Sequence, residues 1–276
     1  EDWIEISWQE AIDTTAERLV AAQTEHGENA VGFYAGNPGV HNYGNLTHGS
    51  LLRRAIKTKN NFSATSLDQL PHQLTSHAMF GHQFLIPIPD IDRTKLLVIL
   101  GGNPMASNGS IMTMPNAPQR FKDLKTRGGK LVVIDPRRSE TANIADQHIF
   151  VKPGSDAFVL MAIINTLLQE NQLNLGHLDG HLDGLDTIRN AVSGFSLKLA
   201  EKQSGIDADT IRQLALELAT TDKAVIYGRM GVSVQEFGTL CQWAIQIINI
   251  LIGSLDSVGG ALATSPAFAY VKKGTP

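Results

Sequence analysis

Apolar residues form short continuous runs that alternate along the chain with longer stretches at helical spacing. Lys95 to Leu100 and Lys130 to Ile134 are runs of strand length, separated by a stretch of helical pattern at Pro118 to Arg127. Further strands are expected at His148 to Val151 and Ala224 to Tyr227. Strands that are apolar on both faces and alternate with helices predict a parallel sheet covered on both sides. The fold class is therefore α/β, with a doubly wound parallel sheet.

The N-terminal region follows an α-β-α order before this rhythm begins near Asp90. Residues 7–10 read Ser-Trp-Gln-Glu, which fits the capping box and predicts a helix that ends at Gly27. A short apolar run at 30–34 predicts a strand, followed by a Gly-Asn-Pro-Gly loop at 36–39 and a helix at 46–57.

Three later helices are predicted from their caps and periodicity. Ser155 to Gln169 is strongly apolar, and an Asp207 cap precedes apolar positions at helical spacing from Ile211 to Leu218. Ser233 and Glu236 form a second capping box, which is expected to open a long helix running towards Ile252.

Composition removes several classes of protein. The chain has 276 residues, 23 Lys+Arg and 27 Asp+Glu, so its formal charge is -4, and 6% of its residues are aromatic. This balance argues against a nucleic-acid binder. A single cysteine, Cys241, excludes an intrachain disulfide framework and any iron–sulfur cluster held by this chain alone.

Nothing in the sequence indicates a membrane or an export signal. The most apolar stretch, Leu240 to Ile252, is shorter than the roughly 20 residues of a membrane span. The first residues have neither the basic nor the apolar region of a signal peptide. The compartment stays open, with the cytoplasm slightly favoured.

Candidate chemistry lies in the loops that follow the strands, because ligands of doubly wound folds bind outside the carboxyl ends of the strands. Gly102 allows backbone N–H groups to approach a phosphate, and Ser107 adds a hydroxyl donor. Asp135 can accept hydrogen bonds from a ribose diol, while Arg137 can neutralise phosphate. Asp156, at a helix start, can accept from the edge of a guanine.

Each loop taken alone also fits a plain structural role. A Gly-Gly turn is often only a turn, and Ser155 and Asp156 also suit a helix cap. Their joint placement on one sheet edge is the stronger signal. Asp135 lies farther beyond Gly102 than the roughly 20 residues typical of a nicotinamide site, which argues against that cofactor.

These loops resemble those of the molybdopterin oxidoreductase superfamily, typified by dimethyl sulfoxide reductase, formate dehydrogenase and periplasmic nitrate reductase. The resemblance covers essentially the whole chain, and its five motifs occur in the family's order. The matching stretches are Leu100 to Ser107, Val132 to Arg138, Lys152 to Ala157, Gly228 to Gly231, and Asn249 to Leu255 running into Gly259-Gly260.

The resemblance implies binding of molybdopterin guanine dinucleotide. It assigns the phosphates to the turn with Gly102, Asn103 and Ser107, the guanosine ribose to Asp135, and guanine to Asp156. Further implied cofactor-binding residues are Arg137, Gly154 and Gly231. It also implies interleaved domains, in which 1–62 plus 223–276 form a discontinuous α/β domain around an inserted Rossmann-like dinucleotide-binding domain at 63–222.

The metal ligand is expected in the segment Asn60 to Gln69, where the family carries Cys, selenocysteine, Ser or Asp. Counting from Asn61 as in formate dehydrogenases reaches Gln69, a poor ligand, with Asp68 one residue away. A carboxylate suits high-valent molybdenum or tungsten better than an amide does, so Asp68 is the predicted ligand and Ser63 the second choice. The alternative is that Asp68 caps the following helix.

The expected function is the central portion of a molybdenum or tungsten bis-molybdopterin guanine dinucleotide oxidoreductase. The family's iron–sulfur cluster domain and C-terminal barrel are not in this sequence, so these domains and an electron-transfer subunit are the expected partners, and the chain alone is expected to be inactive. No catalytic residue or substrate is predicted, although Gln235 and His72 are candidates to line the substrate pocket. Two alternatives remain: a metal-free scaffold or electron-conduit subunit of the same superfamily, and a nucleotide-binding domain unrelated to pterins.

Overall fold

A computed structural model describes residues 3–36, 39 and 42–264. The predicted tail beyond 264 and the Asn37-Pro38 part of the predicted loop lie outside these residues. The chain divides into two compact units, Glu1–Ser66 and Leu67–Pro276. This grouping differs from the predicted discontinuous domain, which joined 1–62 to 223–276, and the insertion stays a prediction.

The described residues of the first unit form two α-helices, a short 3-10 helix (Glu28–Ala30) and a small parallel sheet. Its elements are α1 (Trp8–His26), β1 (Phe33–Ala35), α2 (Tyr43–Ile56) and β2 (Asn61–Ser63), and β1 pairs with β2. The hydroxyl of Ser7 accepts a hydrogen bond of 3.1 Å from the backbone N–H of Glu10, so the first predicted cap is confirmed. The strand β2 is not among the elements predicted from the sequence.

The second unit is built around a four-stranded parallel sheet in the order β6-β5-β4-β7. The strands are β4 (Leu96–Leu100), β5 (Lys130–Ile134), β6 (Gln147–Ile149) and β7 (Ala224–Gly228). All five residues of β4 are at most 1% exposed, so both faces of this strand are covered. The predicted parallel α/β sheet is confirmed.

Helices occupy every connection between these strands. The elements α5 (Pro104–Ser107) and α6 (Ala117–Thr126) join β4 to β5, and α7 (Glu140–Ile144) joins β5 to β6. From β6 to β7 the chain passes through α8 (Asp156–Gln169), α9 (Leu185–Val192), α10 (Leu197–Ser204) and α11 (Ala208–Thr220). Before the sheet lie α3 (Thr65–Asp68), α4 (Leu70–Phe80) and β3 (Ile88–Pro89), and after it α12 (Met230–Ser233), α13 (Gly238–Leu251) and β8 (Ala261–Leu262).

The predicted long helix from Ser233 is wrong at its start, because the chain forms α12 and then begins α13 at Gly238. A Cβ built on Gly238 would lie 2.0 Å from the carbonyl oxygen of Ser233, so the backbone doubles back there at a distance that only glycine permits. The Ser233 hydroxyl does not cap α13. It accepts a hydrogen bond of 3.0 Å from Nε2 of Gln242 instead.

Side chains cover the open edge of β7. The amide of Asn249, on α13, accepts from the Ile226 N–H at 3.1 Å and donates to the Ile226 carbonyl at 2.9 Å. His72, on α4, reaches the Gly228 carbonyl with Nε2 at 3.0 Å. Satisfying these backbone groups prevents another strand from pairing with the edge. In the part of the chain described, no helix has the length and apolar character needed to cross a bilayer.

Candidate functional site

The strand order creates a switch point between β4 and β7, because the chain winds from β4 through β5 to β6 in one direction and places β7 on the other side. Ligands of open α/β sheets bind at such a point, outside the carboxyl ends of the strands. We call that end of the sheet the carboxyl edge. There the Arg229 N–H donates to the Leu100 carbonyl at 3.0 Å, and the Gly231 N–H donates to the Gly101 carbonyl at 2.9 Å.

The contact between these two turns depends on glycine. Gly101 has φ +55°, and a Cβ there would lie 2.7 Å from the backbone nitrogen of Val232. A Cβ on Gly231 would lie 2.9 Å from Cα of Gly101. Gly102 is also confined, since its Cβ would meet Ile99 at 3.0 Å. The predicted site residues Gly102 and Gly231 therefore lie in neighbouring turns at the switch point.

Asn103 connects the first turn to α7. Its Oδ1 accepts from the backbone N–H of Thr141 at 3.1 Å and from the Thr141 hydroxyl at 2.8 Å. Its Nδ2 donates to Oε2 of Glu140 at 2.6 Å. The exposed Ser107 donates its hydroxyl to the Asn103 carbonyl at 3.1 Å. In this structure Asn103 positions the turn, and the phosphate contacts of Asn103 and Ser107 stay predictions.

Asp135 follows β5 at the same edge, and its side chain accepts a hydrogen bond from the backbone of the loop that it begins. Its Oδ1 accepts from the backbone N–H of Arg137 at 2.8 Å, while its carbonyl accepts from Nε2 of His148 at 3.0 Å. Within the described residues Oδ2 has no hydrogen-bond donor. The exposed guanidinium of Arg137 pairs with Glu140 at 3.2 Å. The loop is thus held by its backbone and leaves a carboxylate oxygen for a ligand.

Asp156 begins α8 and is only 6% exposed. Burial raises the pKa of its carboxyl; the hydrogen bond of 3.0 Å from Nε2 of Gln235 opposes this shift, and the charge of Asp135 adds to it. Asp135 and Asp156 follow the neighbouring parallel strands β5 and β6, so both residues lie at the carboxyl edge. The helix-cap alternative for Ser155 is wrong, because its hydroxyl donates to the Lys152 carbonyl at 2.6 Å. Gly154 has φ +81° and open space around its Cβ position.

Asp68, the predicted metal ligand, lies beside Arg229. Its carbonyl accepts from Nη1 of Arg229 at 3.3 Å, and its Oδ2 lies 3.9 Å from Nη2. The alternative that Asp68 caps α4 is wrong, since the residue before α4 is Gln69 and no side chain caps that helix. Ser63 belongs to the first unit. The described part of the chain gathers no group of three or more His, Cys, Asp or Glu suited to a metal ion.

Sequence reasoning missed the role of His72 at this edge. The imidazole is 3% exposed, and burial, followed by the charge of Arg229, lowers its pKa to about 4. A carbonyl only accepts, so the bond to Gly228 assigns the proton to Nε2 and leaves Nδ1 facing the Ser233 hydroxyl at 3.4 Å. His72 is therefore neutral at pH 7. The even spacing of His72, His77 and His82 gave no signal of this burial.

Two further features carry no site residue. Cys241 is buried, and burial, followed by the charge of Asp156, raises the thiol pKa to about 12, so the thiol is unreactive at neutral pH. A surface pocket of about 280 Å³ is lined by Asp90, Asp92, Arg120 and neighbouring residues. It contains none of the predicted site residues.

The residues at the carboxyl edge fit the head of a guanosine dinucleotide. Asp135 and Asp156 bring carboxylate oxygens to this edge. Nε2 of Gln235 donates to Asp156, and Oε1 of the same amide is buried without a partner among the described residues. Two acceptors, the Gly231 carbonyl and Asp156, fix the amide so that Nε2 faces them and Oε1 faces away. Ribose hydroxyls and guanine N–H groups are donors and match this set, while Arg229 and the glycine turns suit phosphate.

The chain belongs to the molybdopterin oxidoreductase family: the family model described as Molybdopterin oxidoreductase matches residues 1–265. Membership implies a molybdopterin cofactor that carries molybdenum or tungsten. The predicted family is confirmed.

Curated relatives are oxidoreductases of this family. The chain is 30% identical to formate dehydrogenase H of Escherichia coli (strain K12) over 251 residues, which are 91% of this chain and 34% of the relative. It is 24% identical to trimethylamine-N-oxide reductase of Haemophilus influenzae over 100% of this chain and 35% of the relative. The chain thus spans about a third of the length of the relatives it matches.

A solved structure shares the fold. Acetylene hydratase from Pelobacter acetylenicus superposes with a TM-score of 0.70 at 23% identity, covering 91% of this chain and 33% of that chain. At this level of identity the likeness concerns the fold alone.

Proposed function

We propose that this chain is the cofactor-binding portion of an oxidoreductase that uses the guanine dinucleotide form of molybdopterin with molybdenum or tungsten. The observation that carries the proposal is the set of acceptors formed by Asp135, Asp156 and Gln235, on the same edge as the glycine turns of the switch point. Family membership supplies the pterin, and the acceptors argue for guanine as its nucleotide.

Each residue has a distinct task in this proposal. Asp156 and Oε1 of Gln235 accept from guanine N–H groups, and Asp135 accepts from the ribose hydroxyls. The turn of Gly102 and the guanidinium of Arg137 face the phosphates, with Asn103 fixing the turn against Thr141. Asp68 is the proposed metal ligand. When bound, the cofactor supplies a metal that exchanges electrons with the substrate, and an oxo group or a hydride equivalent is transferred in the same reaction.

The partners of this portion are proposed from coverage. Because the chain spans about a third of its relatives, we assign electron transfer to an iron–sulfur domain outside these 276 residues, and completion of the second pterin site to a C-terminal barrel. The relatives are named for formate, nitrate and trimethylamine N-oxide, so their substrates differ and we assign none to this chain.

Metal and nucleotide analysis of the full-length protein tests the proposal. Protein purified from cells that make the cofactor is expected to contain molybdenum or tungsten together with a guanine-bearing pterin. A variant that carries Asp135→Ala and Asp156→Ala is expected to contain much less of both while still folding. Full-length protein from such cells that contains neither metal contradicts the proposal.

A metal-free scaffold or electron-conduit subunit is the second candidate. It is favoured by Gln69, an amide, at the position that counting assigns to the metal ligand. Absence of both metals, with a correctly folded and cluster-bearing protein, supports this candidate.

A further inference from the structure

Arg229 is a buried cation at the switch point with an incomplete set of partners. It follows β7 directly and is 9% exposed. Nη1 donates to the Asp68 carbonyl at 3.3 Å, and Nη2 donates to the Ser110 hydroxyl at 2.9 Å. Nε is buried, and among the described residues it has no hydrogen-bond partner. Since a guanidinium has five N–H donors in a fixed fork, most of its donor capacity is unused.

The positive charge is also poorly compensated. The carboxylate that pairs with Arg229 is Asp68, whose Oδ2 lies 3.9 Å away, well beyond the roughly 2.8 Å of a charge-assisted hydrogen bond. The neighbouring His72 is neutral at pH 7 and brings no negative charge. A buried charge costs free energy unless an opposite charge pairs with it, so binding of an anion beside Arg229 would stabilise this arrangement.

The surrounding backbone is shaped around the guanidinium. Ser110, which holds Nη2, has φ +54°, and the same short loop contains Asn108 at +51° and Thr113 at +43°. Non-glycine residues in this left-handed region are strained, and such strain collects at ligand sites. The glycine turn also approaches this residue, because a Cβ on Gly102 would be 3.2 Å from Cβ of Arg229.

We propose that Arg229 anchors an oxyanion at the switch point, with Nε and a second N–H binding two oxygens of the same group. Two sources share this chemistry: the diphosphate of a bound dinucleotide, and a free small planar anion such as nitrate. The first source rests on the proposed function. The second does not, because it needs only the buried guanidinium and the turn beside it.

Calorimetric titration of the full-length protein, purified without its pterin, tests this site. The probes are inorganic pyrophosphate, guanosine diphosphate and nitrate. The variants are R229Q, which removes the charge, and R229K, which keeps the charge and loses the fork. R212Q is the matched control, since Arg212 is half-exposed and paired with Glu170 away from the edge.

R229Q is expected to weaken pyrophosphate binding about tenfold or more, with R229K between it and the wild type, because hydrogen bonds to a charged group are strong. R212Q is expected to change binding by no more than about twofold. An Arg229-dependent response to the two phosphate probes alone identifies the diphosphate source, and a response that includes nitrate identifies the free anion. A wild type that binds no probe, or an R229Q protein that binds like the wild type, overturns the proposal.

Further readouts keep the two proposals separate. If R229Q does not fold, R229K decides: weaker pyrophosphate binding supports the site, and unchanged binding overturns it. The double variant with Asp135→Ala and Asp156→Ala should bind guanosine diphosphate more weakly and pyrophosphate as tightly as the wild type does. If binding of guanosine diphosphate depends on Arg229 and does not change when the two aspartates are replaced, the oxyanion site is supported and the guanosine assignment is wrong.

Discussion

On one side of the carboxyl edge, Asp135, Asp156 and Gln235 present oxygen acceptors, whereas on the other side Arg229 presents N–H donors and a positive charge. Both sides bury a polar group with unused capacity, Oε1 of Gln235 and Nε of Arg229. Burial raises the pKa of Asp156, so the acceptor side contains a carboxylate that is costly to ionise. The cationic side avoids a second charge by holding His72 neutral.

This opposition matches the two ends of a nucleotide, since a base and ribose bring donors while phosphates bring negative charge. Gly231 connects the two sides, because its N–H donates to the Gly101 carbonyl and its own carbonyl accepts from Nε2 of Gln235. The contact between Gly101 and Gly231 is therefore the element whose loss affects both sides at once.

Replacing Gly101 with Ala is expected to have the largest effect. The added Cβ would collide with the backbone of Val232 at a positive φ, and overpacking with left-handed strain costs about 4 kcal/mol of the free energy of unfolding. Gly154→Ala is the control, because its Cβ enters open space and only the strain remains, about 1 kcal/mol. Urea unfolding of both variants measures the difference. Equal losses would show that the turns are not in the contact described.

The neutral state of His72 predicts a pH dependence of the cationic side. Its pKa is about 4 when folded and 6.5 when unfolded, so between these values only the unfolded chain takes up the proton. Stability is therefore lost as the pH falls from 6.5 to 4, by about 3 kcal/mol from this group.

Variants isolate this contribution. His72→Gln should flatten the slope of unfolding free energy against pH in that window, and the exposed His177→Gln should leave it unchanged. Chemical denaturation at a series of pH values measures both slopes. A His72→Gln protein with the wild-type slope would remove His72 from this role.

A smaller effect than at Gly101 or His72 is expected at Asn103, which supports the acceptor side through α7. Asn103→Ala removes the bonds to Thr141 and Glu140 and should cost about 2 kcal/mol. Ser107→Ala removes one exposed bond and should cost less than about 0.5 kcal/mol. Thermal unfolding compares them, and a loss at Ser107 as large as that at Asn103 would contradict the positioning role.

The sheet was predictable because its strands are continuous apolar runs, such as 96–100 and 130–134. These runs are about five residues long, which is the length of a strand and too short for a buried helix. The start of α13 was not predictable, since Ser233 satisfies the capping pattern and yet bonds Gln242, a residue that only tertiary packing brings near. Short elements such as β2 and α12 carry too few residues for a pattern.

The candidate site divides in the same way. Asp135 and Asp156 were found because each follows a strand or begins a helix. Arg229 lies in the stretch Gly228 to Gly231 that matches the family, but its burial depends on Asp68 and Ser110, which are remote in sequence. The order of the strands, which creates the switch point, is likewise a tertiary fact.

Titration of the cofactor-free protein with guanosine diphosphate and adenosine diphosphate, in the wild type and in Asp156→Asn, tests the central claim most directly. The wild type should prefer the guanosine nucleotide about tenfold, because guanine offers N–H donors to the carboxylate. Asp156→Asn should lose that preference, and it should melt at a higher temperature at pH 7 because a carboxylate that burial penalises is gone. An Asp156→Asn protein that keeps the full preference for guanosine would contradict the account.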